Sequence, residues 1–180
     1  MQIVENILNT GRGRLLTNEN TVIEEMEDFI PLRTVDKFNE FDNKLKDQKY
    51  LRQVAKFMKS IGGTETHELV QNILKRFMTN QLATHFNIQG KNLKKKDNAL
   101  PKVAFKNTNL FKCIIKAAHI HRNNIDENNV IHKTIAPWLA QANLRLCREK
   151  IKDAITKEVQ NETTNQTNDS DETTSENEEI

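Results

Sequence analysis

The 180-residue chain is poor in the residues that staple or bend small folds: 2 cysteines, 3 prolines and 5 glycines. Two cysteines make no disulfide framework, so a reducing, intracellular compartment is expected. Few glycines and prolines leave little material for a turn-rich barrel or sandwich. No apolar run approaches the roughly 20 residues of a membrane-spanning helix, so no membrane partner is expected. The opening Met1-Gln2-Ile3-Val4-Glu5-Asn6 lacks the basic-then-apolar layout of a secretory signal. Serine is scarce too: Ser60, Ser170 and Ser175 are the only ones, and two of them sit in a polar tail. No nucleophile–base–orienter set can be assembled from this inventory. Gly11-Arg12-Gly13 follows no strand and makes no phosphate loop. Carboxylates are too sparse in the middle of the chain for a metal-dependent nuclease. The expectation is a protein with no catalytic residue, no cofactor and no small-molecule substrate.

What is present is charge, and it is segregated. Lysine and arginine number 27 and aspartate and glutamate 25, for a net +2. Residues 1–30 hold 2 basic and 6 acidic side chains, a net of −4. Residues 31–160 hold 25 basic and 12 acidic, a net of +13. Residues 161–180 hold 7 acidic and no basic, a net of −7. A basic middle between acidic ends points to a polyanionic partner. The hydrophobic fraction is 36% and mean hydropathy −0.72, which suits a modest core with polar ends. Residues 1–30 read as a mostly flexible acidic segment, 31–158 as a basic helical domain, and 159–180 as an acidic disordered tail.

Apolar residues in the middle recur at helical spacing. Thr34 is placed to cap a helix carrying Phe38, Phe41 and Leu45. A second helix carries Leu51, Val54, Phe57, Met58 and Ile61 and stops at Gly62-Gly63. A third begins at Thr64 and carries Leu69, Val70, Ile73, Leu74 and Phe77; Thr79 caps a short piece holding Leu82, Ala83 and Phe86. Gly90 opens a lysine-rich loop, and Val103 and Phe105 suit a short extended piece. A fifth helix carries Leu110, Phe111, Ile114, Ile115 and Ala118; a sixth begins near Asp126 with Val130, Ile131 and Ile135. Pro137 fits the first turn of a last helix running toward Glu158, with Trp138, Leu139, Ala142 and Leu146 on one face. Strand alternation is nearly absent. The predicted class is all-α: a compact bundle of about six or seven short helices with acidic disordered ends.

Several blocks are familiar in kind. Pro31 to Thr34, Phe38 to Leu45, Leu51 to Gly63, Ile73 to Asn80, Phe86 to Gly90 and Lys102 to Ala118 occur in an order that resembles the domain of unknown function 4806 family, over residues 29–118. That family has no established activity, so the resemblance implies a fold more than a function. A weaker resemblance is to the BEN domain, through a helix ending in Phe, a Thr-Asn-x-Leu block, Gly-Lys, a lysine-rich loop, Ala-Phe and an amphipathic helix. It implies an all-α domain that approaches DNA with the Gly90 loop and the later basic helices, in a transcription- or chromatin-related protein. Phe105 and the stretch 123–134 depart from the BEN pattern.

The basic middle is densest over residues 91–152, with 14 Lys and Arg against 4 acids, a net of +10. The candidate nucleic-acid contacts are Lys91, Lys94, Lys95, Lys96, Lys102, Lys106, Arg122, Arg145, Arg148 and Lys152. Lysines suit phosphates, and Arg122, Arg145 and Arg148 suit base edges, because a guanidinium binds guanine bidentately. The bland alternative is a solvated basic face with no partner. His119, His121, His132, Cys113 and Cys147 invite a zinc reading, but residues two apart on a helix point to nearly opposite sides and no Cys-x-x-Cys pair exists. No metal is expected, and both cysteines read as small apolar packing residues. The Trp138 stripe reads as core, with a homodimer seam or a base-stacking platform as its rivals. With 6% aromatics, a duplex is favoured over a single strand. The acidic tail is expected to compete with phosphate for the basic face, aided by phosphorylation at Thr173 or Ser175. The expected protein is thus a nuclear, non-enzymatic duplex-DNA binder. The rival is a protein-interaction module, nuclear or cytoplasmic, whose basic face docks an acidic partner.

Overall fold

The computed structural model describes residues 23–91, 101–123 and 127–167. It is all-α apart from one very short strand pair. The helices are α1 (residues 23–29), α2 (Val35–Lys44), α3 (Gln48–Ser60), α4 (Thr66–Phe77), α5 (Asn80–Ala83), α6 (Asn109–His121), α7 (Asn128–Ala140) and α8 (Ala142–Thr167). The strands β1 (Phe86–Asn87) and β2 (Val103–Ala104) pair in parallel, with Phe86 opposite Val103. The chain divides into two units, Met1–Asn143 and Leu144–Ile180.

Local chemistry sets most helix starts in the first unit. The Thr34 hydroxyl accepts the Lys37 N–H at 3.2 Å, and Thr79 does the same for Leu82 at 3.2 Å. Asp47 starts α3 by accepting the N–H of Lys49 at 2.7 Å. These bonds satisfy donors that have no partner inside a helix. The start of α4 departs from expectation. Thr64 does not cap it; its backbone N–H instead donates to the Glu68 carboxylate at 2.9 Å, and the helix begins two residues later, at Thr66.

The core of the first unit is assembled from one face of each helix. Phe38 and Phe41 come from α2; Leu51, Val54, Ala55 and Met58 from α3; Leu69, Val70, Ile73, Leu74 and Phe77 from α4. Helix α6 lies along α3 and touches α4, while α7 packs on α4. All 8 phenylalanines join ring-to-ring contacts. Phe38 meets Phe86 at 4.5 Å between centroids, and Phe86 meets Phe105 edge-on at 5.8 Å. Such tilted and edge-on pairs suit the quadrupoles of the rings and add to the hydrophobic term.

Further features depart from the sequence-based expectation. Residues 23–30, expected to be flexible, belong to the fold: Met26 is fully buried, and Phe29 and Ile30 pack on the core. The Ile30–Pro31 peptide is cis, and Leu32 then runs beside Met78 as a parallel bridge, its N–H donating to Phe77 O at 2.8 Å. Phe86 is not helical, because α5 ends at Ala83 and Phe86 turns onto β1. Pro137 does not open the last helix. It lies inside α7, whose end comes at Ala140, and its carbonyl accepts the Gln141 N–H at 3.0 Å. A proline this close to a helix end removes one amide bond but leaves the final turn closed. Helix α8, finally, runs on to Thr167 through residues assigned to the tail. Residues 1–22 and 168–180, with Thr173 and Ser175, lie outside the described residues.

Candidate nucleic-acid interface

The cations near Gly90 are positioned by backbone geometry. Asn87, at the end of β1, folds its amide over the loop. Its Oδ1 accepts the N–H groups of Gln89, at 3.1 Å, and of Gly90; its Nδ2 donates to Lys91 O at 2.7 Å. Gly90 has φ +76°, and a Cβ there would lie 2.9 Å from the Cβ of Ala104. The loop can therefore press against β2 only because this residue is glycine. On the other side, Val103 N–H donates to His85 O at 2.9 Å and Lys106 N–H donates to Ile88 O at 3.2 Å. Lys91, Lys102 and Lys106 thus rise from one small hydrogen-bonded corner, anchored beneath by buried Phe86 and Phe105. Lys91 and Lys106 are exposed and Lys102 is half-buried. Lys94, Lys95 and Lys96 lie outside the described residues.

Helix α6 extends this charge. Lys112 and Lys116, four residues apart, are exposed on its polar side. Both lie in the basic segment, yet neither was among the candidate contacts. The signal was present in their i, i+4 spacing opposite the buried Leu110, Ile114 and Ala118. The N-terminal end of α6 is already occupied. Thr108 Oγ1 accepts the Phe111 N–H at 3.1 Å, and the Asp42 carboxylate accepts the Leu110 N–H at 2.8 Å. A phosphate here would meet side-chain cations rather than helix-end amides.

Arg122 sits elsewhere in the design. It ends α6 and pairs with two carboxylates, Nη2 to Glu65 at 3.7 Å and Nε to Glu127 at 3.5 Å. Glu127 also accepts the Thr66 hydroxyl. Arg122 therefore ties the starts of α4 and α7 to the end of α6, instead of standing free for a base edge. In the second unit, Arg148 and Lys152 are exposed on α8 and Arg145 is half-buried.

The remaining candidates resolve simply. Trp138 is only 7% exposed and packs with Leu139 and Ala142 in the core, so its ring offers neither a stacking platform nor a docking face. Cys113 is buried, its thiol donating to Leu51 O at 3.5 Å, and burial raises its pKa. Cys147 is not a packing residue: it is exposed on α8. His132 meets the Phe111 ring at 5.0 Å. Among the described residues, no three His, Cys, Asp or Glu side chains converge on a metal position.

The sequence profile described as "Domain of unknown function (DUF4806)" matches residues 24–117. This chain belongs to the DUF4806 family. The match opens at α1, where Met26 enters the core, and closes inside α6. In this DUF4806 protein, α7 lies beyond the matched segment yet supplies buried Ile131, Ile135, Trp138 and Leu139. The core is therefore completed by sequence outside the family segment. No curated protein matches the chain, and no solved structure matches it.

Proposed function

We propose that this DUF4806 protein binds duplex DNA without catalysis, as part of a transcription- or chromatin-related assembly in the nucleus. One observation carries the reading. Leaving aside Arg122, which Glu65 and Glu127 hold, the described residues from 84 to 121 contain five lysines and no Asp or Glu. Lys91, Lys106 and Lys116 form no ion pair among the described residues. A stretch of chain that exposes lysines and contains no acidic residue suits a phosphate backbone. The likeness of the block order to BEN domains points the same way. The eight phenylalanines are engaged in ring contacts with one another, which leaves little for stacking on single strands and favours a duplex.

The mechanism is phosphate neutralisation by the Gly90 corner and the α6 stripe of the first unit; Arg145 and Lys152, on α8 in the second unit, are separate candidate contacts. The test is a titration of the full chain against random duplex DNA, single-stranded DNA and duplex RNA at two salt concentrations. Duplex binding that weakens steeply with salt supports the reading. Absence of duplex binding at low salt removes it.

A further inference from the structure

Most large apolar side chains of the first unit are buried, Ile23, Val103 and Val130 excepted, whereas three on α8 stand more than half exposed. Leu144 is 51% exposed, Ile151 60% and Ile155 55%, all on one helix. The spacing is ordered. Positions 144, 148, 151, 155 and 158 alternate steps of four and three, which places Leu144, Arg148, Ile151, Ile155 and Glu158 along one stripe. A solvent-exposed helix gains little from propensity alone and normally depends on burial of one face. This stripe has an apolar centre with opposite charges on either side: Arg148 before the two isoleucines and Glu158 after them.

That order selects the occupant. Two copies of α8 laid antiparallel, with the dyad level with residue 153, set Ile151 of each against Ile155 of the other. The same register sets Arg148 of each against Glu158 of the other, at both ends of the apolar centre. A parallel pair would stack Arg148 on Arg148 and Glu158 on Glu158 inside the seam, and like charges so placed disfavour that pairing. We propose that α8 is a self-association element, through which two copies of this chain form an antiparallel helix pair. The seam is short, so the dimer is concentration-dependent. It is independent of nucleic acid, and Arg148 serves the partner subunit rather than a phosphate.

Sedimentation of the full chain without nucleic acid, over a wide concentration range, tests this. A monomer-to-dimer shift is expected, and Ile151→Glu should abolish it while leaving the thermal unfolding of the first unit in place. Arg148→Glu alone should weaken dimerisation by about tenfold or more, and Arg148→Glu with Glu158→Arg should restore it. Orientation is read by mixing two chains that both carry Cys147→Ser, one with Ile151→Cys and the other with Ile155→Cys. Mild oxidation should give mainly the mixed cross-link. A monomer at every concentration overturns the proposal. So does a dimer indifferent to Ile151→Glu, or cross-linking mainly between identical chains. None of these outcomes depends on whether the duplex titration succeeds.

Discussion

The Asp42 carboxylate, near the end of α2, accepts the backbone N–H of Leu110 in the first turn of α6 at 2.8 Å. Asn109 returns the contact, its Nδ2 donating to Asp42 O at 3.0 Å and to Asp42 Oδ2 at 3.2 Å. One residue thus satisfies an orphan helix donor 68 positions away and fixes the angle at which α6 leaves the basic corner.

Asp42→Ala should cost about 1–2 kcal/mol of stability, since it leaves the Leu110 donor without its acceptor. Asp42→Asn keeps an oxygen in place and should cost less. Urea unfolding checks the order, with the midpoint shifting and the slope unchanged.

Gly63→Ala should be among the worst substitutions on the surface of the first unit. A Cβ at Gly63 would lie 2.5 Å from Leu69 N and 2.9 Å from Leu69 Cα. Both are backbone atoms in the first turn of α4, so the chain cannot yield by turning a side chain. A loss of about 2 kcal/mol or more is expected, read from the thermal midpoint. A midpoint equal to wild type would contradict this account of the α3–α4 turn.

Tyr50 predicts an alkaline weakness. Its buried hydroxyl makes no hydrogen bond among the described residues, and its pKa is raised to about 12 by burial first, then by the charge of Glu25 and by Cys113. A group whose folded pKa exceeds its unfolded value adds stability below the unfolded pKa and loses it as pH rises toward the folded one. Stability should therefore fall as pH climbs from 10 toward about 12. Tyr50→Phe should be neutral or slightly stabilising at pH 7 and should flatten this limb, measured by urea midpoints across the range.

The two thiols should differ sharply. A thiol reagent should label the native chain once, at exposed Cys147, because Cys113 is buried and its thiolate disfavoured. Cys147→Ser should abolish native labelling. Fast labelling of the remaining thiol would show that the α3–α6 contact opens readily.

Charge substitutions should separate binding from structure. Lys91→Ala and Lys106→Ala should each lower the salt slope of duplex binding by about 1 without changing stability. Arg122→Ala should do the reverse, costing about 0.5–1 kcal/mol of stability through its lost contacts to Glu65 and Glu127 and leaving the salt slope alone.

Local chemistry was legible in the residues themselves. Thr34 and Thr79 cap the helices that follow them, and the apolar faces of α2, α3, α4 and α6 are buried as their spacing requires. Caps and periodicity act within a turn or two, so a single strand of sequence contains both partners. The tertiary structure decided what depends on distant partners. Met26 lies in an acidic stretch and looks unremarkable until the core closes over it. Phe86 leaves its helix because β2 and Phe105 receive it. Arg122 reads in sequence like Lys106, yet Glu65 and Glu127 reach it from the caps of α4 and α7. Trp138 and Ile151 are both large apolar residues on successive helices, yet one is covered and the other is not. Helical period says which residues share a face; only the packing of whole elements says which faces meet.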